Sequence, residues 1–422
     1  MAQNISGPIT RGPTRIFVVL VIFTVLFLAL TTISFTRMSA TSDEPVHLTM
    51  GYRALKAGDY RVDPEHPPFL RMWAALPLLF ERNIKFPSQD IDKSDPLGWV
   101  LGKRPDEWDY SHSFLYELND ADHMLYPARF MIALLGVLLG ILIFCWAREW
   151  LGFWPAVLAL GFYTFEPNIL AHASLVTTDF GITCFLFGSV YFLWRTCRCL
   201  NLVNLAGLAA FSSLTANSKF SAPALGLIIL IALAIRAFRA TPWPSRIGKL
   251  PEIRTRLGKA LAAAGVLLLV GIACWAAIWA IYGFRYLPSS TPGWEYSFED
   301  DSRVRAQAPV AVDVVHWINE RHLLPNAYSE GFLLERARSH GREAFLDGEL
   351  KINGWWYYFP FAFSIKTPIT LIFLFLGGLI FCAVKWKDFF GNSLFVLLPA
   401  GLYMAAAMAS DVNIGLRHIL PV

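Results

Sequence analysis

The run from Ile16 to Thr36 contains no charged side chain. An α-helix needs about 20 mostly apolar residues to cross the hydrocarbon core of a bilayer. This run meets that length, and its apolar part exceeds the usual 7–15 residues of a secretory leader, with no A-x-A site after it. Further apolar blocks lie at 127–147, 152–171, 180–194, 201–217, 220–235, 260–283, 367–384 and 389–410. Only 16% of the 422 residues are charged and 55% are apolar, against about 25% charged in soluble domains. Intrinsic disorder is excluded by the same apolar content. Nucleic acid is not an expected partner, because the net charge is only +4 and the basic residues gather at the ends of apolar blocks. The pattern predicts an all-α polytopic membrane protein.

Charge placement sets the topology. A charged residue at mid-membrane is costly, so 201–235 is split into two short helices at Asn217-Ser218-Lys219. With Arg11 and Arg15 in the cytoplasm, the inner connections hold Arg148, then Arg195 and Arg198. Next come Arg236, Arg239, Arg246, Lys249, Arg254, Arg256 and Lys259, and finally Lys385 and Lys387. The positive-inside rule then places the N-terminus in the cytoplasm and both long loops outside. The expected organisation is 1–36 as cytoplasmic N-terminus and first helix, 37–126 as first outer loop, and 127–283 as helices two to seven. A second outer loop follows at 284–366, then helices eight and nine within 367–422. About nine spans result, and the apolar run at Asn413–Val422 predicts further segments beyond it. Of six cysteines, four lie inside apolar blocks, where cysteine acts as a small hydrophobe. Cys197 and Cys199 lack the second ligand pair a zinc site needs.

The first outer loop opens with Asp43-Glu44-Pro45-Val46-His47 and reaches Glu65-His66-Pro67-Pro68-Phe69 some twenty residues on. Acidic residues before a proline also start helices, so capping is an alternative reading of Asp43 and Glu44, as it is of Asp179 with Thr177 or Thr178. Later come Pro127-Ala128-Arg129-Phe130, Leu175-Val176-Thr177-Thr178-Asp179, Ser218-Lys219-Phe220-Ser221, Gly354-Trp355-Trp356-Tyr357-Tyr358-Phe359-Pro360, Ile365-Lys366-Thr367-Pro368 and Asn413-Ile414-Gly415-Leu416-Arg417-His418. In this order and sidedness the motifs resemble the GT-C superfamily of integral-membrane glycosyltransferases. The likeness is to the protein O-mannosyltransferase/aminoarabinose-transferase group, glycosyltransferase family 39-like. Phe69 stands where that group usually has Leu.

The resemblance implies a GT-C-type bundle and a sugar donor linked to polyprenyl phosphate, used on the outer face of the membrane. It also implies an acceptor hydroxyl on protein, lipid or glycan, and inversion at the anomeric carbon. Such transfer needs a base near the acceptor and cations for the departing phosphate. Asp43 is the expected base, with Glu44 and Asp179 as further acidic candidates. Arg129, Lys219 and Arg417 are the expected phosphate ligands, with snorkelling toward headgroups as the alternative. His47, Glu65, His66 and His418 are expected in the pocket wall. Asp43, Glu44, His47, Glu65 and His66 also have ligand chemistry for a divalent metal ion. The aromatic run Trp355–Tyr358 suits a membrane interface, and Val310–Ile318 an amphipathic helix lying on the bilayer. The expected location is a bacterial inner (plasma) membrane, with the catalytic loops periplasmic or extracellular. A lipid-linked-sugar transporter or flippase is the competing class, although such proteins place ionisable residues near the midplane. A catalytically degenerate scaffold is a third.

Overall fold

A computed structural model describes residues 12–88, 107–248, 251–339, 341–385 and 389–421. Arg11, Lys249 and Lys387 of the expected inner basic set lie outside these residues. The described residues are mostly helical. The first, α1 (Pro13–Phe35), starts on a proline, whose missing N–H costs nothing in a first turn. Phe17, Ile22, Val25 and Ile33 of this helix are exposed, an arrangement that suits lipid and not water. Its opposite face buries Phe23 and Phe27.

The first loop folds into α2 (Asp43–Ala57), α3 (Phe69–Ala75) and α4 (Glu107–His112). The long α5 (Ala121–Leu151) follows, capped by Asp120, whose side chain accepts from the His123 N–H at 3.1 Å. On α5, Gly136 and Gly140 lie one turn apart, as Phe23 and Phe27 do on α1. A Cβ at either glycine would overlap the facing phenyl ring. Small residues four apart let helices approach closely in lipid.

The block expected at 152–171 is not one helix. It divides into α6 (Phe153–Phe165) and α7 (Pro167–His172). Pro167 disfavours helical backbone at Glu166, and the Glu166 carboxylate caps the new start by accepting from the Ile169 N–H at 2.5 Å. Then come α8 (Thr178–Arg198), α9 (Leu202–Ala216) and α10 (Pro223–Phe238), with the chain broken at Asn217-Ser218-Lys219. A two-residue antiparallel pair, β1 (Trp243–Pro244) with β2 (Glu252–Ile253), leads into α11 (Arg256–Ile281).

The second loop contains α12 (Ser302–Gln307), α13 (Pro309–Glu320), α14 (Asn326–Arg338) and a hairpin of β3 (Glu343–Leu346) and β4 (Glu349–Ile352). The helix α13 buries Val312 and Val315 and leaves Val310, Val314 and Trp317 exposed. The chain closes with α15 (Tyr358–Lys366), α16 (Ile369–Val384) and α17 (Leu394–Met408). In the aromatic run before α16, Trp356 is exposed, while Tyr358 packs inward with Phe359, Leu416 and Ile419.

Among the described residues five helices are long and apolar enough to span a membrane: α1, α5, α8, α11 and Gly391–Met408. A sixth results if α15 and α16, bent by 119°, form one broken span. The expected spans at 152–171, 201–217 and 220–235 are occupied by helices of 13, 15 and 16 residues. At 1.5 Å per residue these fall short of a core about 30 Å thick. Length and composition thus support five or six crossings. The three short helices account for the difference between nine and six, and α16, where it is not joined with α15, for that between six and five.

Candidate active site

A cavity of about 1010 Å³ opens where the starts of α2, α8 and α10 meet the second loop and the end of α17. Eight of the ten site residues expected from sequence line it: Asp43, His47, Glu65, His66, Asp179, Lys219, Arg417 and His418. They come from segments far apart in the chain. Asp43 is the first residue of α2, Asp179 the second of α8, and Lys219 sits in the turn between α9 and α10. Arg417 and His418 belong to a short 3₁₀ turn, Leu416–Ile419.

The charged groups form one network. The Asp43 carboxylate accepts from an Arg417 Nη. The Arg417 Nε lies 3.6 Å from Asp179 Oδ2, and Asp179 Oδ1 accepts from Lys219 Nζ at 2.6 Å. Lys219 Nζ also lies 3.3 Å from His418 Nδ1. Capping therefore does not occupy Asp179, whose carboxylate is engaged by the two cations.

The histidines are neutral groups here. Burial first, and then Arg71, pushes His47 well below its ordinary value. His66 is lowered the same way, by burial and then Arg71. His418 falls to about 3, from burial and then the neighbouring Lys219. Arg71 donates through Nε to His47 Nδ1 at 3.0 Å, which leaves the proton of a neutral His47 on Nε2. Among the described residues, two buried ring nitrogens, His66 Nδ1 and His418 Nε2, have no hydrogen-bond partner.

Two expected site residues lie elsewhere. Arg129 and Glu44 do not line the cavity, and both side chains are 0% exposed. Arg129 donates to both Glu44 oxygens at 2.8 and 2.7 Å. Its remaining N–H groups reach the carbonyls of Phe35, Met38 and Ser39, each at 2.8 Å. All five guanidinium donors are thus used, leaving nothing for a phosphate. Glu44 is equally saturated, accepting also from the Thr41 and Val176 N–H groups at 2.9 Å.

Residues without a distinguishing motif complete the site. Arg71 of α3, almost fully buried, pairs with Asp63 at 2.6 Å. Arg338 of α14 bridges Glu65 and Glu107, both at 2.9 Å, and Arg342 adds a contact to Glu65 at 3.3 Å. These pairs staple the second loop onto the first. The one available signal was indirect: Arg336, Arg338 and Arg342 cluster within a loop otherwise rich in acids.

A metal ion does not fit the donors as they stand. Among the described residues no group of three carboxylate, imidazole or thiol side chains converges. Asp43, Glu44 and Glu65 each pair with arginine, and His47 Nδ1 accepts from Arg71.

The other wall of the cavity is apolar. Pro223, Ala224 and Leu227 of α10 face Leu402, Ala406 and Ala407 of α17 across it. Helices long and apolar enough to span a membrane thus carry a charged pocket beside an apolar groove. Residues 112–251 match the model of the dolichyl-phosphate-mannose-protein mannosyltransferase family, within the GT-C superfamily. The resemblance read from the motifs is borne out over that segment, which contains Arg129, Asp179 and Lys219. The family's chemistry is that of a membrane glycosyltransferase using a polyprenyl-phosphate-linked sugar. No curated protein and no solved structure matches the chain.

Proposed function

We propose that the protein transfers a sugar from a polyprenyl-phosphate donor to an acceptor hydroxyl in the 1010 Å³ cavity, on the outer face of the membrane. The observation that carries this reading is the joining of two unlike walls in one space. The Asp43–Arg417–Asp179–Lys219 network offers cations to a phosphate. The groove between α10 and α17 offers apolar surface to a lipid chain that never leaves the bilayer.

In the proposed reaction the acceptor oxygen attacks the anomeric carbon from the side opposite the phosphate. The C–O bond forms as the bond to phosphate breaks, and the anomeric centre inverts. The hydroxyl proton passes to Asp43, and the new charge on the departing phosphate is taken up by Lys219 and Arg417. Arg417 donates to the Asp43 carboxylate. A donor phosphate competes for that guanidinium, which frees the carboxylate to act as base once donor is bound. Asp179 sits between the two cations and holds them in place. Glu44 and Arg129 act indirectly, by fixing the start of α2 and hence Asp43. The acceptor class is left at protein, lipid or glycan hydroxyl.

The test uses the full chain in detergent with a polyprenyl-phosphate sugar and an acceptor extract. Asp43→Asn is expected to abolish transfer while keeping the wild-type melting temperature and donor binding. Wild-type turnover in that variant removes Asp43 as the base. Movement of intact donor across vesicles, with no transfer, favours a flippase instead.

A further inference from the structure

The helix α14 is fixed on several sides where it borders the active-site cavity. At its start, Asn326 exchanges hydrogen bonds with the Tyr296 backbone, at 2.8 and 2.9 Å. The Tyr328 hydroxyl then donates to the Ala216 carbonyl at 3.1 Å. Phe220, the residue directly after Lys219, meets the rings of Tyr328 and Phe332 edge-on, with centroids 5.2 and 5.9 Å apart. A Cβ at Gly331 would overlap the Pro64 carbonyl, so the helix lies flush against the first loop. Held in this way, α14 turns one stripe to the cavity. The stripe is Phe332, Glu335, Arg336 and, just past the helix end, Ser339, which are neighbours on one helix face.

Glu335 differs from the other acids of this wall. Among the described residues six carboxylates line the cavity, and the other five form salt bridges with arginine or lysine. No hydrogen bond or ion pair engages the Glu335 carboxylate, although the residue is half-buried. Burial lifts its carboxyl above the ordinary value, against the pull of Lys219. Glu335 and Lys219 are thus near enough to act on one another without pairing. A carboxylate so placed repels a phosphate. It accepts from hydroxyl groups, and such bonds to a charged acceptor are stronger than neutral ones. In a polyprenyl-phosphate sugar the ring is joined directly to the phosphate. A phosphate held at Lys219 therefore brings the ring hydroxyls to the part of the wall that carries Glu335, with the apolar ring of Phe332 beside it.

We infer that Glu335 binds hydroxyl groups of the donor sugar and makes the cavity select a sugar-bearing lipid phosphate over a bare one. It acts so only if Lys219 and Arg417 hold the donor phosphate, the reading on which this one rests. The same carboxylate favours release of the spent lipid. Once the sugar has left, Glu335 has lost its hydroxyl donors and faces a phosphate of higher negative charge.

The test measures lipid binding to the purified full chain in detergent. The probes are polyprenyl phosphate carrying a hexose (mannose) or a pentose (arabinose), and bare polyprenyl phosphate. Wild type should hold one of the sugar lipids about ten-fold more tightly than the bare lipid, the worth of one hydrogen bond to a charged group. Glu335→Ala should lose that margin, while binding bare polyprenyl phosphate at least as well as wild type does. Glu335→Gln keeps one oxygen acceptor and should retain a margin of about three-fold. Equal weakening of sugar lipid and bare lipid in Glu335→Ala marks the residue as structural and overturns the proposal. An undiminished margin in Glu335→Ala overturns it too. Wild type that binds the bare lipid but shows no margin for either sugar overturns this proposal and leaves the donor-phosphate site standing. Wild type that binds none of the three probes removes the donor site itself, and the role of Glu335 with it.

Discussion

The acidic pair at the start of α2 divides its labour between two neighbouring residues. Asp43 faces the cavity, whereas Glu44 turns inward to a guanidinium that is as fully buried as itself. Removing one member of a buried pair strands the other charge in a low-dielectric interior, a cost of about 3–5 kcal/mol. Arg129→Ala should therefore lower unfolding stability in detergent by that order. The double variant with Glu44→Ala should cost less than the sum of the singles. A phosphate ligand behaves otherwise, raising the donor KM with stability intact. Lys219 is the contrasting case. It lines the cavity and reaches Asp179 at 2.6 Å, so Lys219→Ala should weaken donor binding more than acceptor binding. Equal losses for both substrates count against a phosphate role.

At the level of elements, packing between α1 and α5 rests on two glycines without which the aromatic rings have no room. Gly136→Leu places side-chain atoms where the Phe27 ring lies. Overpacking of this kind typically costs about 1–3 kcal/mol. Gly161→Leu on α6, where a Cβ meets nothing within 4 Å, should be close to neutral in the same unfolding assay. The positions of the helices were legible in the sequence because lipid demands long uncharged runs, and the break at Asn217-Ser218-Lys219 because Lys219 interrupts one. The meeting of Asp43, Asp179, Lys219 and Arg417 was legible in part, since counting charges by side placed all four at one end of the bundle. Their pairing was not, nor were the roles of Arg71 and Arg338. Arg338 meets Glu65 across 273 positions of chain, and no local periodicity encodes such a contact. Arg129 misled for a related reason: an arginine entering a span looks the same whether it faces a ligand or a buried carboxylate. The short lengths of α6, α9 and α10 depend on where turns close inside apolar blocks, which composition alone does not mark.

Across the whole molecule, the two long loops are joined through ionisable groups that burial has shifted in opposite directions, and this sets a pH window for stability. His47, His66 and His418 are depressed below their ordinary 6.5 by burial and nearby cations. They bind fewer protons folded than unfolded, so their contribution is present above about pH 6.5 and is lost as pH falls below it. Glu107 is raised to about 7 by burial, against the pull of Arg338. Glu330 is raised to about 8 by burial and then by Glu299. These carboxyls hold protons folded that they release unfolded, so their contribution is full below 4.5 and declines as pH rises through about 7 and 8. Between 4.5 and 6.5 the three histidines oppose the two glutamates. Between 6.5 and 8 the glutamates act without that opposition. The melting temperature should therefore peak near pH 6.5 and fall toward pH 8, and the double variant Glu107→Gln, Glu330→Gln should remove most of that fall. A wild-type melting temperature that climbs steadily from pH 6.5 to pH 8 would show that the loops are held by other groups. Loss of the alkaline fall in Glu107→Gln alone would trace it to the Arg338 staple between the loops, while loss only in Glu330→Gln would place it inside the second loop.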